Sequence, residues 1–277
     1  MEGTAMSAAP EKTHYIIRGG VAGRERLRTL NRVMQPTTLA LFERIGLLPG
    51  MRVLDAGCGG GDLAFQLARL VGPQGKVVGT DIDAVKLEMA RQEAAAAGIA
   101  NVEFRIADNQ QAKIEREFDI VHARFLLTHL PDAHGALQNM IRATKPGGLV
   151  VIEDIDVNGW LCYPPCAAHA RFIELYAATV QRRGGNPNIG PSLPVMLSAA
   201  GLARVHMNVV QPAGTSGDVR LITPLTMENI GDAVLEEKLA SREEIDRLVA
   251  ELYDFAKRPG TVDGMPRVTE AWGSAAS

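Results

Sequence analysis

Apolar positions along this chain switch repeatedly between helical and strand periods, and the switches come at turn residues. Between Arg24 and Gly46, Leu27, Leu30 and Met34 and then Leu39, Phe42 and Ile45 recur at helical spacing. Pro36 interrupts the run, which predicts two helices ahead of the first strand. Leu48-Pro49-Gly50 stops them, and Arg52-Val53-Leu54 is a short apolar run that reads as strand one. Leu63, Leu67, Leu70 and Val71 then share one face of a helix from Asp62 to Val71, closed by Gly72-Pro73. Lys76 to Thr80 reads as strand two. Asp83 stands at the N-cap of a helix from Ala84 to Ala97, which Gly98 ends.

The alternation continues with strands over Val102 to Ala107 and Phe118 to Ala123, a helix over Ala133 to Thr144, the turn Lys145-Pro146-Gly147-Gly148, and a strand over Leu149 to Ile155. Strands that alternate with helices predict an α/β fold with a doubly wound, Rossmann-like, mostly parallel sheet. Beyond Val157 the pattern loosens. Phe172, Leu175, Tyr176, Thr179 and Val180 mark a helix inside an insertion at 158–188, and a helix over Ser192 to Ala200 follows. A strand over Ala203 to Val210, a helix over Arg242 to Lys257 and a last strand over Arg267 to Trp272 bring the sheet to seven strands. The expected organisation is a loose tail at 1–13, an N-terminal helical lid at 14–47, a core at 48–157, the inserted helical lid at 158–188, and a C-terminal part at 189–277 that completes the sheet.

Composition narrows the partners. The hydrophobic fraction of 46% and charged fraction of 22% are those of a packed globular chain. A net charge of −3 without a run of basic and aromatic residues argues against nucleic acid. Three cysteines, Cys58, Cys162 and Cys166, are too few and too odd in number for a disulfide framework, which fits a reducing cytoplasm. No apolar run approaches the roughly 18 residues of a membrane span. The apolar faces of the inserted and N-terminal helices leave room for a homodimer.

The chemistry begins at Asp55-Ala56-Gly57-Cys58-Gly59-Gly60-Gly61, a glycine loop between a strand and a helix. Such a loop presents bare backbone N–H groups and a helix N-terminus at the carboxyl edge of the sheet. Gly59, Gly61 and Ala64 also satisfy a dinucleotide fingerprint, with Asp81 at the distance of a ribose-binding acid, so an NAD(P)-dependent oxidoreductase is a rival reading. Asp55 argues the other way, because its carboxylate repels a pyrophosphate and attracts an ammonium. A Walker loop is excluded by the lack of a lysine after the glycines. Asp81 suits a ribose, since one carboxylate accepts from both hydroxyls.

The segment from Val53 to Gly61 resembles the first motif of the class I S-adenosylmethionine-dependent methyltransferases. Thr80-Asp81-Ile82-Asp83 resembles the second, Ala107-Asp108-Asn109 the third, and Phe118 to Val121 with Lys145 to Gly148 the fourth strand and the turn before the fifth. The resemblance implies S-adenosylmethionine held by Asp55, Gly57 and Gly59, with Asp81 on its ribose, Ile82 against adenine, and Asp108 and Asn109 near the adenine amine. It also implies that Tyr15 and Arg18 fold over the methionine end as a lid.

Arg124 and Phe125 follow the fourth strand directly and are expected to line the same pocket. His129, just beyond them, is the candidate catalytic base, or alternatively a group that holds the methionine end. His122, inside the strand, reads as a core histidine. Trp160, Tyr163, Phe172 and Tyr176 form either an acceptor pocket or the insertion's own core. The Cys162–Cys166 spacing does not match a zinc site. The expected function is methyl transfer to a small hydrophobic or aromatic molecule, at oxygen ahead of nitrogen or carbon. A non-catalytic S-adenosylmethionine-binding protein is the rival from outside the enzymes.

Overall fold

The computed structural model describes residues 16–17, 20–111 and 113–276, apart from the side chains of 20–22. In chain order, helix α1 (Gly20–Arg44) precedes β1 (Arg52–Ala56), α2 (Asp62–Val71), β2 (Lys76–Asp81), α3 (Ala84–Ala96), β3 (Val102–Ile106), β4 (Phe118–Arg124), α4 (Ala133–Ala143) and β5 (Thr144–Asp156). There follow β6 (Cys162–Tyr163), α5 (Ala167–Arg182), α6 (Leu193–Ala199), β7 (Ala203–Val210), β8 (Ala213–Gly214), α7 (Ile222–Glu236), α8 (Arg242–Lys257), β9 (Val262–Gly264) and β10 (Arg267–Ser274).

Seven strands form one sheet in the order β3-β2-β1-β4-β5-β10-β7. The first five are parallel, and β10 runs antiparallel to both β5 and β7. Side chains on each central strand alternate between two cores. Val53, Ile120 and Val151 face α2, α3 and the end of α1, whereas Leu54, Val121, Val150 and Ile152 face α4 and α6. This two-sided burial is why the strands read as nearly continuous apolar runs. A third core lies in a helical lobe of α5, α7 and α8, where Phe172, Leu175, Ile230 and Leu252 pack with Leu30 and Met34 of α1. A small sheet of β6, β9 and β8 accompanies the lobe.

The structure departs from the sequence pattern in three places. One continuous helix of 25 residues replaces the two expected before β1, with Pro36 inside it. A proline costs a helix interior about 3 kcal/mol. Here Leu30 and Met34 are buried in the lobe core and Leu41 and Phe42 in the sheet core, which at about 1.5–3 kcal/mol each outweighs the break. The turn Lys145 to Gly148 is a bulge within β5, between the register pairs Phe118–Thr144 and Ile120–Leu149. Helix α7, to which no element was assigned, buries Ile222, Met227, Ile230 and Val234 in the lobe. No helix among the described residues is long and apolar enough to cross a membrane.

Candidate active site

The carboxyl ends of β1, β2, β3 and β4 open onto one cavity of about 800 Å³. Asp55, Gly57, Gly59, Asp81, Ile82, Asp108, Asn109, Arg124, Phe125 and His129 all line it. Ile17 lines it too, while Tyr15 and Arg18 lie outside the described residues.

The loop after β1 is bent by glycines in the left-handed region, with Gly57 at φ 72°, Gly59 at 55° and Gly61 at 79°. A Cβ at Gly57 would fall 2.9 Å from Leu126 Cδ1, and one at Gly61 2.7 Å from the Phe104 ring, so bulk as well as torsion requires glycine there. The N–H groups of Gly57 and Cys58 donate to Thr80 O at 2.7 and 2.9 Å. Asp81 then fixes the middle of the loop. Its Oδ2 accepts from Gly59 N at 2.9 Å, and its Oδ1 accepts from Asp83 N at 2.9 Å. Arg24, buried at 2% exposure, covers Gly60 and pairs with Asp62 and Glu93, which ties α1 to α2 and α3.

Asp55 is 3% exposed. Its Oδ1 meets His122 Nδ1 at 3.2 Å, and its Oδ2 has no hydrogen-bond partner among the described residues. Leaving a carboxylate oxygen buried and unpaired is costly, so this atom marks where a cationic donor belongs. Asp83 caps α3 by accepting from Val85 N and Lys86 N, each at 3.1 Å. Asp108 closes its own turn by accepting from Gln110 N at 2.9 Å while facing the cavity, and Asn109 Oδ1 accepts from the Thr80 hydroxyl at 2.9 Å. Burial, with Asp55 and Asp81 nearby, pushes the Cys58 thiol well up, which keeps it protonated.

At the end of β4, Arg124 reaches back to α1, donating to Thr38 Oγ1 and Asn31 Oδ1 at 3.0 Å each. Phe125 sits at φ 55°, a conformation that costs a bulky residue about 1–3 kcal/mol and recurs at functional sites. His129 is 5% exposed. Its burial and the charge of Arg26 lower its pKa to about 3, so the imidazole is neutral at physiological pH.

An apolar wall completes the cavity, with Leu30, Ile155, Trp160, Tyr176, Ile222 and Met265. Of the four aromatics singled out in the insertion, Trp160 and Tyr176 line this wall. Phe172 is core, packed edge-on against Trp160 at 4.8 Å between ring centroids, and Tyr163 is 64% exposed. His169 lies 3.5 Å from Asp263 in the lobe, and His206 stacks on Trp272. No group of three or more metal-ligating side chains occurs among the described residues.

Sequence reasoning passed over the network behind Asp55. His122, which it read as core, bridges Asp55 and Glu153, and Thr38 donates to Glu153. The signal was present as a glutamate directly after the apolar run Val150-Val151-Ile152 inside a strand.

The sheet order also differs from that of the dinucleotide-binding fold. The dinucleotide-binding order 3-2-1-4-5-6 belongs to a mostly parallel sheet. Here an antiparallel strand enters between the fifth and the last.

Residues 47–182 match a family model described as a methyltransferase domain. The chain is 33% identical to a demethylmenaquinone methyltransferase of Lactococcus lactis over 140 residues, which is 50% of this chain and 53% of that one. It is 38% identical to a ubiquinone biosynthesis O-methyltransferase of Klebsiella pneumoniae over 125 residues, 44% of this chain and 50% of the other. The chain thus spans about half the length of these curated relatives. A geranyl diphosphate C-methyltransferase structure from Streptomyces coelicolor is 14% identical with a TM-score of 0.54, covering 96% of this chain and 85% of that one. At such identity the likeness shows the fold alone. The segment that matches a methyltransferase domain, residues 47–182, contains the glycine loop after β1 and the acids that follow it at the ends of β2 and β3.

Proposed function

We propose that the chain transfers a methyl group from S-adenosylmethionine to the hydroxyl of a small apolar acceptor, such as a phenol or quinol. The observation that carries this reading is the continuity of the cavity. One space of about 800 Å³ joins the acids at the strand ends to the apolar wall of Leu30, Ile155, Trp160, Tyr176 and Ile222, with His129 in the same lining. When bound, the cofactor supplies an electrophilic methyl carbon on a cationic sulfur.

Asp55 receives the ammonium at its unpartnered Oδ2. Asp81, already held by the loop, accepts from the ribose hydroxyls, Ile82 packs on the adenine, and Asp108 accepts from the adenine amine. The lobe helices wall the acceptor from water, and alignment of this kind is worth as much as about 7–11 kcal/mol. His129 lies in the same lining and orients the acceptor's hydroxyl; with its pKa lowered to about 3 it is too weak a base to hold that proton, so the acceptor reacts as the phenolate after losing its proton to solvent. The relatives named for demethylmenaquinone and for ubiquinone biosynthesis support an acceptor of quinone type.

Calorimetry with S-adenosylhomocysteine and with NAD tests the cofactor, with binding of the first alone expected. Incubation with S-adenosylmethionine and a panel of phenols, quinols and amines then tests the acceptor. Formation of S-adenosylhomocysteine together with an O-methyl signal by NMR is the expected result. A product methylated only at carbon or nitrogen refutes the assignment to oxygen, and binding without turnover on any member of the panel refutes the acceptor class.

A further inference from the structure

Both ring nitrogens of His122 face carboxylate oxygens. Nδ1 lies 3.2 Å from Asp55 Oδ1 and Nε2 lies 2.9 Å from Glu153 Oε1. A neutral imidazole has one N–H, so one of these contacts would set a lone pair against a carboxylate oxygen. An imidazolium meets both contacts with both carboxylates ionised, whereas a neutral ring meets both only if one of the carboxyls is itself protonated. We propose that His122 is a positioning residue for the cofactor: as an imidazolium clamped between Glu153 and Asp55 it fixes the Asp55 carboxylate and reserves Oδ2 for the ammonium. This rests on the cofactor reading above.

The surroundings supply the rest of the argument. His122 and Glu153 are fully buried and Asp55 is 3% exposed, so the face of the carboxylate turned away from the cavity is oriented by the ring. Glu153 is in turn held by the Thr38 hydroxyl, at 3.0 and 2.9 Å from its two oxygens, and Arg124 donates to the same hydroxyl. The clamp is therefore braced from α1 as well as from β1 and β5. Phe42 packs against the imidazole at 5.2 Å between ring centroids, and Glu270 on β10 is the register partner of Glu153, with Arg44 beyond it. Burial opposes charge on His122, and its hydrogen bonds to Asp55 and Glu153 overcome that, so its pKa lies above the ordinary histidine value.

The count of charges has a consequence. With both carboxylates ionised and the ring an imidazolium, Asp55, His122 and Glu153 together carry one net negative charge in a buried site, which one ammonium neutralises. Without the proton on His122 the same site would hold two negative charges, and the carboxylates would compete for any proton that arrived. His122 thereby sets both the geometry and the charge of the ammonium site without touching the ligand.

Two ligands separate this role from a merely structural one. S-adenosylhomocysteine carries the ammonium, and 5′-methylthioadenosine keeps the adenosine and lacks it. In His122→Gln, calorimetry is expected to show S-adenosylhomocysteine bound about 10- to 100-fold more weakly, the scale of a hydrogen bond to a charged group, with methylthioadenosine unchanged. Equal loss of both ligands, or loss of neither, overturns the proposal. Should that variant fail to fold, Glu153→Gln keeps the Asp55 contact. Nitrogen-15 NMR of ligand-free protein then reads the ring directly, with an imidazolium expected at pH 7 in the wild type and a lowered titration in Glu153→Gln. A neutral ring in the wild type at pH 7 also overturns it. Failure of wild-type protein to bind S-adenosylhomocysteine would count against the cofactor reading and leave the NMR result to decide the clamp.

Discussion

Asp81→Ala separates what holds the glycine loop from what the loop holds. The carboxylate of Asp81 accepts two backbone N–H bonds at 2.9 Å, from Gly59 in the loop and from Asp83 at the start of α3. Hydrogen bonds to a charged group are worth about 1.5–3 kcal/mol each. Asp81 is only part-buried, and water replaces some of that bonding in the variant, so the combined loss of stability is about 2–3 kcal/mol. In a domain of this size that lowers the melting temperature by about 4–10 °C. The same oxygens are the proposed ribose acceptors, and their removal is expected to weaken both S-adenosylhomocysteine and methylthioadenosine by about 10- to 100-fold. Asp81→Asn keeps one acceptor oxygen and should fall between variant and wild type in both respects. Differential scanning fluorimetry reads the first effect and calorimetry the second. An unchanged melting temperature refutes the anchoring of the loop. Unchanged affinity for methylthioadenosine in folded Asp81→Ala refutes the ribose role.

Gly61→Ala places a methyl group 2.7 Å from the Phe104 ring at a residue with φ 79°, and it should cost about 2–4 kcal/mol in chemical denaturation. His129→Gln, which removes the group that orients the acceptor's hydroxyl, is expected to lower kcat by up to about a hundredfold, with the Kd for S-adenosylhomocysteine unchanged in calorimetry. Since the His129 imidazole stays neutral down to about pH 3, the wild-type rate should show no loss from its protonation between pH 5 and 7 in a pH–rate profile. Burial pushes the Asp154 carboxyl up to about 7, against the backbone N–H groups of Ile155, Thr128 and Leu127 that it accepts from. A carboxyl whose folded pKa is raised stabilises the fold below its unfolded pKa, and that contribution is lost as pH rises from about 4 to 7. The stability difference between wild type and Asp154→Asn should therefore shift against the wild type by about 4 kcal/mol over that range in urea unfolding.

Much of the cofactor side was legible in the sequence because its chemistry is local to strand ends. Asp55, Asp81 and Asp108 each follow an apolar run by a residue or two, and a parallel sheet brings the ends of such runs to one edge. Gly57 and Gly61 announced a bent loop, and Asp83 was correctly an N-cap. Period alone placed β7 over Ala203–Val210 and α8 over Arg242–Lys257.

Other features depended on residues far apart in the chain. Pro36 signals a break, and only the two cores that α1 spans explain why the helix continues through it. The insertion of β10 between β5 and β7 depends on strand pairing across more than a hundred residues, which local pattern does not encode. His122 looked inert because its partners sit on neighbouring strands, Asp55 in direct register and Glu153 two residues beyond its own register partner Val151. The sequence thus determined which residues stand at the mouth of the loop, since side-chain period and turn chemistry act over a few residues. The raised pKa of His122, the neutrality of His129 and the apolar wall opposite the acids were decided by tertiary structure, because burial and the approach of distant charges exist only once the sheet and lobe have closed.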